Sequence, residues 1–144
     1  MKEIIKWDAK YLTGIKIIDS QHIKIFKCVN ELHEALEKAD TKEKIIELTA
    51  NLDFYTAEHF DTEEKYMLEF NYPEYTEHKN THERFKKIYE DIKNNYIYKK
   101  TEAVYIIAIH LKPVMAAWLD YHLQNEDRWL VEFLKSKNIE NKNE

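Results

Sequence analysis

Residues that turn or break a chain are almost absent from this sequence. Its 144 residues include one glycine and two prolines, Gly14, Pro73 and Pro113, whereas Glu, Lys, Leu and Ile are abundant. Glycine and proline mark most tight turns, and the abundant residues favour helices. The composition therefore predicts an all-α fold built from a few long helices. The length fits a single domain, which we expect to span residues 1–144.

The charge pattern argues against nucleic-acid and membrane partners. The net charge is -5, and lysine and arginine residues are interspersed with acidic ones rather than gathered on one face. Neither the N-terminal stretch MKEIIKWDAK nor any later segment contains an apolar run typical of a signal peptide or a membrane span. We therefore expect a cytoplasmic protein. The lone cysteine, Cys28, has no partner for a disulfide and is expected to be a small buried apolar residue.

Apolar residues recur at three- and four-residue steps along four segments, which is the spacing of the buried face of a helix. The predicted helices cover roughly residues 18–38, 42–69, 74–97 and 102–135, after an N-terminal arm of residues 1–17. Pro113 lies inside the last helix, so a bend or break is expected near residues 109 to 113. Short connections place consecutive helices antiparallel, which predicts an up-down-up-down four-helix bundle.

Five of the seven histidines fall on the inward faces of these helices. The five are distributed over all four helices: His22, His59, His78, His82 and His122. A single buried histidine is more often a hydrogen-bonded core residue than a ligand. Five inward imidazoles in one bundle instead indicate a metal site.

The spacing of these residues places donors in pairs. Glu63 follows His59 by four residues, and His82 follows His78 by four. Side chains four residues apart lie on the same face of a helix. Each pair can therefore hold one metal ion.

An acidic residue after His122 can complete the set of ligands. Glu126 is four residues away and lies on the same face of a regular helix. Asp127 is five residues away and reaches that face only if the helix contains a π-bulge, a feature common at functional sites. The spacing alone leaves the choice between Glu126 and Asp127 open.

Four blocks of the chain resemble the hemerythrin family, in particular its bacterial single-domain members. In the family's order, the blocks are GIKIIDSQHIKIF (14–26), HFDTEEKYM (59–67), YPEYTEHKNTH (72–82) and WLDYHLQNED (118–127). The resemblance implies two irons with the following ligands: His22 and His59 on one, His78, His82 and His122 on the other, and Glu63 and Asp127 bridging both. It is the resemblance, and not the spacing, that selects Asp127 over Glu126.

The resemblance also implies a cofactor and a function. The cofactor is a pair of non-haem iron ions with a bridging oxo or hydroxo group, and imidazole and carboxylate donors without thiolate suit iron. Counting donors leaves one open position, on the iron held by His22 and His59. We expect reversible dioxygen binding there, for oxygen storage or delivery to an oxygen-consuming enzyme, by a monomer that is not itself an enzyme.

The open position is expected to have apolar walls that exclude water and anions. The candidates for this ligand pocket are Ile18, Ile25, Phe26, Trp118 and Leu119, with Phe54 and Phe60 as further wall residues. Polar candidates for orienting the imidazole N–H groups are Asp19, Tyr55, Glu58 and Tyr121. The two other histidines, His33 and His110, fit no ligand position.

Two other functions use similar donors. The same centre could sense oxygen, nitric oxide or iron, or it could serve a di-iron oxidase or peroxidase. Ferritin-type and oxygenase-type sites are built from Glu-x-x-His pairs, and this sequence contains none. The sequence therefore favours oxygen carriage over oxidation.

Overall fold

Long helices account for most of the described chain. The computed structural model describes residues 5–38, 40–94 and 117–138. Its helices are α1 (Lys16–Glu37), α2 (Lys42–Glu69), α3 (Tyr75–Lys93) and α4, which consists of residues 117–121, a π-helical turn at His122–Glu126 and an α-helical end at Asp127–Ser136. None of the described residues belongs to a β-strand, so the predicted all-α fold is confirmed.

Contacts at both ends of α2 and α3 show that these helices run antiparallel. His78, near the start of α3, places Nε2 3.3 Å from Oε1 of Glu63 in the second half of α2. Tyr89, near the end of α3, donates its hydroxyl to the carbonyl of Thr49 in the first half of α2 at 3.2 Å. This is the arrangement that the short connections predicted, and the helical bundle is confirmed.

Local hydrogen bonds cap both ends of α2. Thr41 precedes α2, and its hydroxyl oxygen accepts the N–H of Lys44 at 3.2 Å. After α2, Asn71 adopts a left-handed conformation with φ 54°, and the N–H of Tyr72 donates back to the carbonyl of Met67 at 2.8 Å. Pro73 follows directly and cannot continue the helix. Helix α2 therefore has the bounds that the sequence predicted.

Helix α1 begins at Lys16, two residues earlier than predicted, because a polar turn precedes it. The Asp19 carboxylate accepts the N–H groups of Thr13 at 2.8 Å and Gly14 at 3.1 Å. Gly14 has φ 91°, a conformation that residues with a side chain rarely adopt. Its missing side chain also leaves room for Lys135 of α4, whose Nζ would lie 2.8 Å from an added Cβ.

The N-terminal arm crosses α1 and α4. Ile5 and Asn30 of α1 exchange two hydrogen bonds through the Ile5 backbone, at 3.1 and 2.9 Å. Tyr11 donates its hydroxyl to Asp120 of α4 at 2.6 Å. The described part of the arm is thus fixed to two different helices.

The apolar core is divided into two clusters, one on each side of a histidine layer. The first cluster lies on one side of the layer and includes Ile25, Phe26, Leu52, Phe85 and Leu119. The second cluster lies on the opposite side and includes Ile15, Ile18, Met67, Leu130 and Leu134. On each helix, the inward histidines lie between a residue of the first cluster and one of the second. The polar layer is therefore enclosed by apolar packing on both sides.

Several predictions fall outside the described residues. They are the end of the third helix at residues 95–97, the first part of the last helix at residues 102–116, the bend at Pro113, and His110. Within the described chain, Cys28 is buried as predicted. Among the described residues, no helix is long and apolar enough to cross a membrane.

Candidate metal centre

Seven polar side chains meet in the layer between the two apolar clusters. They come from all four helices, and none is more than 3% exposed. They are the seven predicted metal ligands: His22 from α1, His59 and Glu63 from α2, His78 and His82 from α3, and His122 and Asp127 from α4. Their ligand atoms form two groups, each with all its atoms within 4.8 Å of one another. One group contains His22, His59 and Asp127, and the other contains Glu63, His78, His82, His122 and Asp127.

The Asp127 carboxylate connects the two groups. Its Oδ2 lies 2.8 Å from Nε2 of His22 and 3.1 Å from Nε2 of His59. Its Oδ1 lies 2.7 Å from Nε2 of His122 and 3.2 Å from Nε2 of His78. One oxygen thus faces each group, as expected of a carboxylate that bridges two ions.

A π-helical turn makes this position of Asp127 possible. Residues His122–Glu126 form the turn, and the N–H of Asp127 donates to the carbonyl of His122, five residues earlier. The extra residue brings Asp127 onto the face that His122 occupies. Glu126, the alternative from spacing, instead lies at the outer side of the imidazole, with Oε1 3.5 Å from Nδ1 of His122.

Glu63 contributes mainly one oxygen to the cluster. Its Oε1 lies 3.2 Å from Nε2 of His59, 3.3 Å from that of His78 and 3.1 Å from that of His82. Its Oε2 is buried and has no hydrogen-bond partner among the described residues. This second oxygen is therefore available as a metal ligand.

The unsatisfied atoms of the cluster fit a bound cation. Asp127 Oδ1 and His122 Nε2 are only 2.7 Å apart but do not form a hydrogen bond. Neighbouring ligands of one ion lie about 3 Å apart, because metal–nitrogen and metal–oxygen bonds of about 2.0–2.2 Å meet near right angles. Most of the Nε2 to carboxylate distances in the cluster, 2.7 to 3.3 Å, match this spacing.

The outer nitrogens of three imidazoles face polar side chains. Nδ1 of His59 lies 3.0 Å from Oε1 of Gln21, and Nδ1 of His82 lies 3.1 Å from Oε2 of Glu64. Glu126 takes the corresponding place beside His122. Such partners orient metal-binding imidazoles and fix which nitrogen carries the proton.

Two aromatic rings stack on the imidazoles from the side of the first apolar cluster. Phe60 lies on His82, with ring centroids 4.0 Å apart and an angle of 14° between the planes. Trp118 lies on His122 at 4.3 Å and the same angle. These contacts leave little rotational freedom to the two rings.

The two carboxylates of the cluster are ionised. Burial opposes ionisation of Glu63, but His59 and His78 outweigh it and hold the pKa of Glu63 well below its usual range. Burial likewise opposes ionisation of Asp127, and His122 above all holds its pKa well below the usual range. The cluster therefore presents two buried negative charges to a cation.

The imidazoles divide according to whether they lie beside both of these carboxylates, as His59, His78 and His122 do, or beside only one. Burial favours the neutral form of His59 and His78, but the two carboxylates outweigh it and raise the pKa of each to about 9. The same carboxylates raise the pKa of His122 well above its usual value. Burial lowers the pKa of His22 and His82. In the absence of metal, three protonated imidazoles thus lie beside the two buried anions.

The sequence matches the family model of the hemerythrin HHE cation binding domain over residues 13–134. The chain belongs to the hemerythrin family. The resemblance that the four sequence blocks indicated is therefore confirmed, and the buried cluster identifies a hemerythrin-type metal-binding protein.

Relatives from three bacteria support this family assignment. A bacteriohemerythrin of Pseudomonas aeruginosa (strain LESB58) is 30% identical over 129 residues, which cover 90% of this chain and 80% of the relative. A bacteriohemerythrin of Stenotrophomonas maltophilia is 29% identical, over 92% of this chain and 83% of the relative. That of Clostridium acetobutylicum is 27% identical, over 85% of this chain and 95% of the relative. Hemerythrin similarity thus extends over most of the chain.

The predicted apolar pocket residues lie on both sides of the hemerythrin-type cluster. Ile25, Phe26 and Leu119 are buried in the first apolar cluster, and Trp118 packs against it. Ile18 is buried in the second cluster, beyond the histidine layer. Their role as walls of the open position stays a prediction.

Three other residues that were predicted to line the pocket or to orient the imidazoles do not contact the cluster. Phe54 is 64% exposed and Tyr121 is 57% exposed, so neither lines nor orients the cluster. Asp19 binds the turn before α1. His33 is buried outside the cluster, with Nε2 3.1 Å from Oε1 of Glu37, and is not among the grouped donors, as predicted.

The sequence analysis missed Gln21 and Glu64 as partners of the imidazoles. Each directly adjoins a predicted ligand, His22 or Glu63, and so points from the helix in a different direction. That direction leads to a histidine of a neighbouring helix. A search for polar residues adjoining each ligand would have found both.

Proposed function

We propose that the cluster holds two iron ions and that this di-iron centre binds dioxygen reversibly, for oxygen storage or delivery. His22 and His59 would hold one ion, and His78, His82 and His122 the other. Glu63 and Asp127 would serve both. The observation that carries the proposal is the Asp127 carboxylate, which directs one oxygen at each donor group.

The donor types support iron rather than a harder or softer metal. Imidazole nitrogens with carboxylate oxygens suit divalent iron, and the cluster contains no thiolate. The family is named for cation binding, and its members hold non-haem iron. When bound, a pair of ferrous ions supplies the two electrons that dioxygen takes up and later returns.

The unequal numbers of imidazoles support an open position. The group of His22 and His59 offers two imidazoles, whereas the other group offers three. Both groups can use the same two carboxylates. The ion at the smaller group therefore has fewer protein ligands and keeps a position for a small molecule.

The surroundings support binding without further oxidation chemistry. Apolar clusters enclose the layer on both sides, and Phe60 and Trp118 cover two of the imidazoles. An apolar enclosure excludes the water and anions that would promote irreversible oxidation of the irons. The names of the relatives, each a bacteriohemerythrin, agree with this function.

Metal analysis combined with an optical oxygenation cycle tests the proposal. Protein reconstituted with ferrous iron without oxygen is expected to contain about two irons per chain and to be nearly colourless. Air should produce visible absorption, and removal of oxygen should reverse it over repeated cycles. Absorption that bleaches irreversibly would support an oxidase instead, and protein that takes up only zinc would refute the proposal.

Two variants separate loss of the centre from loss of the fold. Glu63→Ala removes a shared carboxylate and is expected to lose most of the iron. His33→Ala alters another buried polar side chain of the bundle, outside the cluster, and is expected to retain the iron. Equal iron loss in both variants would mean that the bundle, and not the Glu63 carboxylate, determines retention.

A further inference from the structure

The outer nitrogens of the imidazoles face partners of different charge in the two donor groups. In the three-histidine group, the Glu64 carboxylate lies within hydrogen-bonding distance of Nδ1 of His82, at 3.1 Å, and the Glu126 carboxylate lies 3.5 Å from Nδ1 of His122 as a charged neighbour without a hydrogen bond. In the two-histidine group, His59 faces the neutral amide of Gln21 at 3.0 Å. The remaining outer nitrogen of that group, Nδ1 of His22, has no hydrogen-bond partner among the described residues.

The orientation of the Gln21 amide follows from a chain of hydrogen bonds. The Thr62 hydroxyl donates its proton to the backbone carbonyl of Glu58 at 2.9 Å. The Thr62 oxygen can then only accept, and it accepts from Nε2 of Gln21 at 2.9 Å. The amide oxygen of Gln21 is thereby directed at Nδ1 of His59, which must carry the proton. Nε2 of His59 is therefore the nitrogen that must give up its proton when a metal ion binds.

We propose that Gln21 is a positioning residue that fixes the proton of His59 on Nδ1. Because Gln21 is neutral, it also makes the two-histidine position the weaker of the two metal positions. The inference rests on the proposed two-metal centre. Carboxylate partners raise the basicity of metal-binding imidazoles, and loss of such a partner lowers metal affinity roughly 10- to 100-fold. The three-histidine position has both the additional imidazole and the carboxylate partners. It fills first, and the two-histidine position fills second and loses its ion first.

The burial of Gln21 makes this effect specific. Gln21 is 3% exposed, so water does not replace its contact with His59. Glu64, in contrast, is partly exposed and lies with Oε1 3.8 Å from Nζ of Lys79. The lysine holds the Glu64 carboxylate beside His82 without removing its charge.

Titration of the metal-free protein with Co²⁺ alone, followed by visible absorption and calorimetry, tests the inference. The wild type is expected to bind two ions in two resolved steps. Gln21→Leu removes the acceptor at His59 and is expected to weaken the second step roughly 10- to 100-fold while leaving the first unchanged. Gln21→Glu, of almost the same shape, is expected to restore the acceptor and tighten the second step beyond the wild type.

Glu64→Gln provides the matched control on the other position. It replaces the charged partner of His82 with a neutral one and is expected to weaken the first step, so that the two steps approach each other. A purely structural role of Gln21 would weaken both steps together, and circular dichroism of each variant would show a change in helix content. Thr62→Val frees the Gln21 amide to turn and is expected to weaken the second step less than Gln21→Leu does.

The results distinguish this inference from the proposed function. Wild-type protein that binds a single Co²⁺ would refute the two-metal centre. Two bound ions with a second step that Gln21→Leu leaves unchanged would overturn only the role of Gln21. A second step weakened by Gln21→Glu as much as by Gln21→Leu would overturn the contribution of charge.

Discussion

The carboxylate of Asp127 approaches Nε2 of His122 to 2.7 Å, although five residues separate the two along α4. In a regular helix, a five-residue step turns the side chain about 140° away. The π-helical turn at His122–Glu126 takes up the additional residue and returns Asp127 to the inward face. The bridging position of Asp127 therefore depends on a local departure from α-helical geometry.

Replacing Asp127 with Asn should remove metal, whereas replacing Glu126 with Gln should not. Asp127 directs one oxygen at each donor group, and Glu126 lies outside the cluster at Nδ1 of His122. Asp127→Asn is expected to reduce the bound iron from about two ions per chain to one or fewer. Glu126→Gln should retain both. Iron analysis after anaerobic reconstitution measures the difference, and the opposite result would make Glu126 the ligand.

The ambiguity between Glu126 and Asp127 marks the limit of what spacing predicts. The bounds of α2 could be predicted because its start and end depend on nearby residues: Thr41 caps the first turn, and the Asn71–Pro73 turn ends the helix. A π-helical turn has no comparable local signal. The contacts of Asp127 after the turn are with residues distant in sequence, His22 and His59, and the family resemblance supplied what the spacing could not.

The partners of the imidazoles were unpredictable for a related physical reason. Periodicity identifies which residues of one helix face inward, but it does not say which residue of the next helix meets them. Gln21 meets His59 from α1, and Glu64 meets His82 from α2. Such pairs depend on the relative rotation of packed helices, which a single sequence does not specify.

Replacing Phe60 with Ala should destabilise the bundle strongly. Phe60 is fully buried, stacks on His82 and contacts Phe85 and Trp118 edge to face. Removing a buried phenylalanine ring leaves a cavity and costs about 3–5 kcal/mol of unfolding free energy. Chemical denaturation of the metal-free protein measures the loss.

Phe54 offers a matched control in the same helix. It is the same residue type in α2, but its side chain is 64% exposed. Phe54→Ala is expected to change the unfolding free energy by less than about 0.5 kcal/mol. Similar losses in the two variants would contradict the orientation of α2 described above.

Replacing Tyr11 with Phe should loosen the arm from α4. The Tyr11 hydroxyl donates to Oδ1 of Asp120 at 2.6 Å, and the same oxygen accepts from Nε2 of Gln124 inside the π-helical turn. Loss of one hydrogen bond from a buried tyrosine is expected to cost about 1 kcal/mol. Thermal unfolding measures the change. Tyr121→Phe, at an exposed tyrosine next to the same turn, should leave the melting temperature almost unchanged.

Metal uptake at pH 7 should release protons, and the apparent affinity should rise with pH. Metal binding requires neutral imidazoles. The buried carboxylates raise the pKa of His59 and His78 to about 9 and that of His122 well above its usual value, so these three imidazoles are protonated at pH 7 when metal is absent. Burial lowers the pKa of His22 and His82, which are neutral at this pH and release no proton.

Calorimetric titration with Co²⁺ in buffers of different ionisation enthalpy counts the released protons. Up to three protons per chain are expected at pH 7, one from each protonated imidazole. The number should fall as the pH approaches 9, because His59 and His78 are then increasingly neutral before metal binds. The apparent affinity should accordingly increase steeply between pH 7 and 9 and less steeply above. Metal uptake without proton release at pH 7 would show that the metal-free cluster holds neutral imidazoles, and that the carboxylates do not control their protonation.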